Sequence, residues 1–159
     1  MLNILQLIAR PLLMKSKLPI FSWGHAILHA ATRILIKPTS YHKFSTMQLV
    51  HGQEPNIFHL RIFGCAVYVS ISPPQRTKMG PQRRLGIYVG YESLYRVKYL
   101  ESLTGDLFTA RFVDCHFDES IFPTSRGEIS SWKRIFLGMH YHYLVLILTQ
   151  NSVNLKFKR

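Results

Sequence analysis

The side chains best suited to binding chemistry in this sequence form a basic run between two apolar segments. Four cations, Arg76, Lys78, Arg83 and Arg84, fall within residues 75–84, which contain no Asp or Glu. Lys and Arg on a loop neutralise backbone phosphates and release their counterions. The run therefore predicts a phosphate-binding loop for DNA or RNA. The alternative is a solvated loop whose charges only keep the chain soluble.

Tyrosines in the neighbouring apolar segments offer a second candidate surface. Aromatic side chains on small barrels stack on nucleic-acid bases. Alternating aromatics in strands, however, more often form core or cross-strand pairs. We therefore predict that these tyrosines are mainly core residues: Tyr68, Tyr88, Tyr91, Tyr95 and Tyr99.

Metal-binding and nucleophilic chemistry have little support. Cys115 and His116 are adjacent, and adjacent residues of a strand point to opposite faces, so they do not converge on one ion. His140 and His142 share a face only if their segment is extended. A zinc site normally needs four ligands, and no others are positioned by the sequence. We predict no metal, no cofactor and no catalytic residue.

The composition is that of a folded and strongly basic chain. It has 159 residues, of which 47% are hydrophobic, unlike the polar composition of disordered chains. The formal charge of +12 predicts a polyanionic partner, nucleic acid before an anionic membrane surface. Cys65 and Cys115 are too few for a disulfide scaffold and are interpreted as small buried residues. Residues 143–148 are apolar but far shorter than the roughly 20 residues that cross a bilayer.

Helical periodicity dominates the first third of the chain. It predicts a helix over residues 2–13, with a kink or early end at Pro11, and a second helix over residues 19–36. Ser45 as an N-cap and Gly52 as a stop predict a short third helix. The second helix is expected to bury one apolar face: Trp23, Ala26, Ile27, Ala30, Ala31 and Ile34.

The pattern changes to strands after residue 55. Residues 60–71, 85–91, 97–100 and 107–116 combine β-branched and aromatic residues with alternation. Turn signals separate these segments, which predicts a small β-barrel or sandwich. The basic run connects the first two strands.

Short motifs follow one another in a fixed order along residues 5–123. They are Trp23-Gly24, Pro38-Thr39, His51-Gly52, His59-Leu60-Arg61, Phe63-Gly64-Cys65, Val89-Gly90-Tyr91, Thr104-Gly105 and Phe117-Asp118-Glu119. In this order they closely resemble the integrase region of copia-type long-terminal-repeat retrotransposon polyproteins.

The resemblance implies an α+β chain of three segments. Residues 1–53 correspond to truncated C-terminal helices of an RNase H-like integrase core, and residues 54–123 to an SH3-like β-barrel. Residues 124–159 are expected to be an unstructured or weakly helical tail. The family pattern is echoed at residues 128–132 and then stops, and we hypothesise that a frameshift produced the rest of the tail.

Integrases of that family hold two divalent ions with two aspartates and a glutamate. The resemblance places all three upstream of the position equivalent to Met1, and no acid occurs before Glu54. We therefore predict that the chain is not an enzyme.

Two functions remain open at this point. One is a non-catalytic fragment of a polyprotein whose parent integrates DNA, with at most non-specific nucleic-acid binding. The other is a pseudogene-like product with no selected activity. No small-molecule substrate or membrane partner is expected, and the resemblance implies an intracellular location in the nucleus or cytoplasm.

Overall fold

Three helices precede a five-stranded antiparallel sheet in the part of the chain that the structure describes. The computed structural model describes residues 2–38, 41 and 43–125, all within the compact unit Met1–Gly127. The predictions for the tail, including those for His140 and His142, lie outside the described residues.

The two long helices are α1 (Leu2–Ser16) and α2 (Trp23–Ile36), and a 3-10 turn (Ile20–Ser22) precedes α2. Pro11 lies inside α1, so the expected early end of that helix is wrong. The end of α2 just before residues 37–38 is confirmed. No helix in the described ranges is long and apolar enough to cross a membrane.

The short helix α3 (Thr46–His51) has the predicted caps. The Ser45 hydroxyl oxygen accepts a hydrogen bond from the Gln48 backbone N–H at 3.1 Å, which satisfies a free donor of the first turn. Gly52 ends the helix with a φ of 69°, a left-handed conformation that glycine adopts at no steric cost.

The buried face of helix α2 overlaps only partly with the one predicted. Its buried residues are His25, Ala26, His29 and Ala30, whereas Trp23 is only partly buried. The two alanines were expected in the core and the two histidines were not. Neutral imidazole rings pack like other flat apolar groups, and residues four apart stack on one face of a helix.

The sheet has the strand order β4-β3-β2-β1-β5, and every pair of neighbours is antiparallel. Its strands are β1 (Ala66–Ser70), β2 (Arg83–Ser93), β3 (Arg96–Glu101), β4 (Leu107–Arg111) and β5 (Cys115–Asp118).

Two of the predicted strand boundaries are wrong. Residues 60–65, expected to begin the first strand, form turns and irregular chain before β1. Residues 107–116, expected to be one strand, are divided between β4 and β5 by a 3-10 turn at Phe112–Asp114. That turn carries the chain from one end of the strand order to the other.

Both faces of the sheet are buried at its centre. Ala66, Ile87 and Leu100 lie opposite one another on one face, and a larger cluster lies on the other. The cross-strand register places Val67 opposite both Gly86 and Phe117, and it places Tyr88 opposite Tyr99. The buried cluster is Cys65, Val67, Val69, Tyr88, Val97 and Tyr99, with Ala110, Phe112, Cys115 and Phe117 packed against it. Cys65 is therefore fully buried as predicted, and Cys115 only partly.

The helices pack against the sheet at its buried centre. The His29 ring centroid lies 5.5 Å from that of Phe63 and 6.2 Å from that of Tyr88. Gly64, with a φ of 83°, passes so close to Ser16 of α1 that any larger residue would collide with it. The helices thus hold the middle of β2 and leave its ends to solvent.

Candidate nucleic-acid interface

The basic run forms a closed, exposed loop between β1 and β2. It begins with a 3-10 turn at Pro73–Gln75. At its base the Ile71 N–H donates to the Gln82 carbonyl at 3.2 Å, and the Arg76 Nε donates to the Ile71 carbonyl. These bonds tie the two ends of the loop together.

The four predicted cations lie on two different elements. Arg76 and Lys78 are in the loop, whereas Arg83 and Arg84 are the first two residues of β2. Because adjacent residues of a strand point to opposite faces, the two arginines leave the sheet on different sides.

Arg84 is already paired within the protein. Its Nε lies 3.2 Å from the Glu101 Oε1, and the Glu101 side chain is only 13% exposed. Glu101 is opposite Gly86, two residues along the same face from Arg84, so the ion pair is a diagonal cross-strand contact. The Arg84 guanidinium is therefore less available to a ligand than the sequence suggested.

The other three cations have no such partner. Arg76, Lys78 and Arg83 are all exposed, and none has a carboxylate within 4.0 Å among the described residues. The structure thus brings three unpaired cations to one end of the sheet. A group of this kind attracts phosphates by charge and carries no information about base sequence.

Two arginines near the opposite end of β2 are matched by acids. Arg96 lies 3.7 Å from Glu92, and the Arg111 Nε donates to the Asp114 Oδ2 at 2.8 Å. An apolar groove of about 360 Å³ opens there, lined by Asn56, Phe58, His59, Leu94, Tyr95, Arg111, Phe112 and Val113.

Arg61 is engaged by aromatic rings. Its guanidinium carbon lies 5.2 Å from the ring centroid of Phe112 and 5.3 Å from that of Phe117, within cation–π range. It lines an open cavity of about 520 Å³ together with Phe112, Cys115, His116, Phe117, Asp118 and Glu119. This arginine closes one edge of the core and is not part of the basic loop.

The tyrosines divide between core and surface. Tyr88 is fully buried and Tyr99 is 5% exposed, as predicted. Tyr68 and Tyr91 are partly buried, whereas Tyr95 is 77% exposed, so its predicted place in the core is wrong. The reason is local, because Tyr95 lies in the turn between β2 and β3.

The histidines of α2 are held neutral by burial. Removal from water lowers the pKa of both His25 and His29 to about 4, with smaller contributions from Lys98 and Arg33 respectively. Burial also lowers the pKa of His59. The described residues contain no group of three His, Cys, Asp or Glu side chains arranged to hold a metal ion.

Glu101 is the residue of this interface that sequence reasoning missed. It neutralises one of the four cations from a neighbouring strand, and only the register of β2 with β3 reveals the contact. The sequence indicated strands at residues 85–91 and 97–100 with a turn signal between them. Nothing in the sequence specified which residue of β2 would lie opposite Glu101.

The fold and the comparisons define the class of this protein. Residues 65–131 match the family model of the retroviral polymerase SH3-like domain, which covers all five strands. No solved structure gives a match to the chain.

Relatives among characterised proteins are more specific. The chain is 36% identical over 117 residues to the retrovirus-related Pol polyprotein from transposon RE2 of Arabidopsis thaliana, and 33% over 118 residues to that from transposon RE1. It is 31% identical over 83 residues to that from transposon TNT 1-94 of Nicotiana tabacum. The first two alignments each cover 72% of this chain and 8% of the relative, and the third covers 52% and 6%. The chain belongs to the copia-type retrotransposon Pol polyproteins, of which it spans a small fragment.

Proposed function

We propose that this fragment is a non-catalytic nucleic-acid-binding element of the integrase region of a Pol polyprotein whose parent integrates DNA during transposition. Its contact with DNA or RNA is electrostatic, sensitive to salt and independent of base sequence. The binding surface is the loop end of the sheet, with Arg76, Lys78 and Arg83 as the main contacts and Arg84 as a weaker one.

One observation carries this proposal. Three exposed cations share one closed loop end and lack acidic partners in the described part of the chain, whereas Arg96 and Arg111 near the other end of β2 are each paired. A polyanion binds most favourably to cations that have no acidic partner, because a paired cation must first lose its existing ion pair. The formal charge of +12 adds a long-range attraction to the same ligand.

The non-catalytic part of the proposal is supported by the distribution of acids. Two-metal phosphoryl transfer needs carboxylates that clamp both ions. No Asp or Glu occurs before Glu54, so the helical segment that resembles the end of an integrase core supplies none.

The experiment compares two double variants that remove the same charge from opposite ends of β2. Lys78→Gln with Arg83→Gln removes two unpaired cations, and Arg96→Gln with Arg111→Gln removes two paired ones. Fluorescence anisotropy with a labelled duplex of about 20 base pairs, repeated across salt concentrations, gives the slope of log affinity against log salt.

We expect the loop-end variant to lower the magnitude of this slope by about 2, because each phosphate that the protein no longer neutralises reduces it by about 0.9. The control variant should change it by well under 1. Equal effects of the two variants would mean that net charge alone drives binding and would remove the loop end from the proposal. Absence of duplex binding by the unaltered chain would remove the function.

A second candidate is a product with no selected activity. It is favoured by the apolar side chains exposed along α1, where Ile4, Leu7 and Met14 are 56%, 71% and 79% exposed. Exposed apolar faces of this kind promote aggregation. Soluble aggregates at micromolar concentration, in place of a single monodisperse species, would support this candidate.

A further inference from the structure

The tip of the basic loop carries an apolar side chain in full contact with solvent. Met79 is 100% exposed, the most exposed of the large hydrophobic residues that the structure describes. It stands between Lys78 and Gly80, in a loop whose other exposed residues are polar or proline. Among the described residues, the fully exposed side chain of Met79 is therefore free to contact a partner.

The loop holds Met79 in a defined place. Thr77 to Gly80 form a tight turn in which the Gly80 N–H donates to the Thr77 carbonyl at 3.2 Å, so Lys78 and Met79 are its two central residues. At the base, the bond from Ile71 to the Gln82 carbonyl and the Arg76 side chain close the loop. A tip braced in this way loses little conformational freedom when it binds.

The surroundings of Met79 favour one kind of partner. Arg76, Lys78 and Arg83 on the same loop end favour a polyanion, and a single unbranched thioether chain is thin enough to enter between two stacked bases. Proteins that bind the minor groove insert apolar wedges, methionine among them, between base steps and kink the duplex. A lipid bilayer fits less well, because one methionine supplies little of the apolar area that interfacial anchoring uses.

We propose that Met79 is a wedge that enters a base step from the minor groove of duplex DNA while the loop cations bind the flanking phosphates. This inference rests on the proposed function and names its ligand more closely. It predicts that the bound duplex is bent. It also predicts a preference for flexible pyrimidine–purine steps, which unstack more easily than stiff A-tracts.

The test uses the full chain and two duplexes of about 25 base pairs, labelled at both ends for energy transfer. One has a central TpA step and the other a central A-tract of the same composition. We expect the unaltered chain to shorten the end-to-end distance of the TpA duplex and to bind it about fivefold more tightly than the A-tract duplex.

Substitutions at Met79 separate the wedge from the charge. Met79→Ala should abolish the bend and the preference while leaving the salt slope unchanged, and Met79→Leu, which keeps an apolar chain of similar volume, should retain both. Since the Met79 side chain is fully exposed, neither change should alter the fold, which circular dichroism can verify.

Any of the following results would contradict the proposal that Met79 inserts between bases. If Met79→Ala bends DNA as the unaltered chain does, the wedge is wrong while phosphate binding stands. The wedge also falls if Met79 increases affinity only for single-stranded DNA, or only for vesicles of phosphatidylserine and phosphatidylcholine. If the unaltered chain binds neither duplex at any salt concentration, the wedge and the proposed function fail together.

Discussion

The two ends of strand β2 carry similar side chains and differ in charge balance. At the loop end, only Arg84 of the four cations Arg76, Lys78, Arg83 and Arg84 forms an ion pair with an acid, Glu101, among the residues that the structure describes. At the other end, Arg96 and Arg111 are each paired with an acid.

This difference shows that the number of cations is a poor guide to where a polyanion binds. Exposed ion pairs add little to stability, but they lower the net charge of the surface on which they lie. A basic protein can therefore have one end that attracts phosphate and another that does not.

The buried centre of β2 holds both ends of the strand in place. Unfolding of this centre should therefore abolish the difference in DNA binding between the two ends. Tyr88→Ala removes a fully buried ring from the core and should lower the free energy of unfolding by about 3–5 kcal/mol. Tyr95→Ala is the matched control, because that ring is 77% exposed and its loss should cost about 0.5 kcal/mol or less. Urea denaturation measures both. Similar midpoints for the two variants would show that the described core does not hold the sheet.

Acid should destabilise the same centre through α2. The pKa values of His25 and His29 are lowered to about 4 from 6.5, so the folded state favours their neutral forms. Their contribution is fully present above pH 6.5 and is lost as the pH falls from 6.5 toward 4, because the unfolded chain binds protons that the folded chain does not. The upper limit of the loss is about 3 kcal/mol per histidine.

Urea midpoints at pH 7 and pH 5 measure this loss. His25→Gln with His29→Gln should be less stable at pH 7 but should show a flatter dependence on pH. The charged groups facing these rings are Lys98 from β3 and Arg33 from α2 itself, which oppose protonation further. An unchanged pH dependence in the double variant would assign the acid sensitivity to other groups.

Removal of the Glu101 carboxylate should increase the difference in DNA binding between the two ends of β2. Glu101→Gln frees the Arg84 guanidinium and should raise the magnitude of the salt slope for duplex binding by about 1. The same substitution should cost at most about 1 kcal/mol of stability, because the Arg84 side chain is 44% exposed and its pair is partly screened.

Glu92→Gln is the control at the opposite end, where it frees Arg96. Its effect on the slope should be the smallest of the series. If it matches Glu101→Gln, the two ends do not differ in their access to DNA.

Local features of the fold were predictable from the sequence, and contacts between distant residues were not. The Ser45 cap and the Gly52 stop depend on chemistry within a few residues and are confirmed. The buried face of α2 was misplaced because His25 and His29 are polar by residue type, although burial keeps them neutral. The break between β4 and β5 at Phe112–Asp114 falls within a run that contains no Gly or Pro to mark it.

The candidate site shows the same limit. A basic loop between two strands was evident from four cations and no acid, but the division of those cations was not. Arg84 and Glu101 are seventeen positions apart in the chain, and only the pairing of β2 with β3 brings them together. The remaining unpaired set, Arg76, Lys78 and Arg83, could therefore be recognised only from the structure.

Protection of individual lysines from acetylation, read by mass spectrometry with and without duplex DNA, shows whether the loop end is the surface that binds DNA. Lys78 on the loop and Lys37 at the end of α2 are both exposed, so each reports on its own surface without any substitution. If the loop end binds DNA, duplex DNA slows the acetylation of Lys78 and leaves the rate at Lys37 nearly unchanged. An unchanged rate at Lys78 with slower acetylation at Lys37 would contradict binding at the loop end.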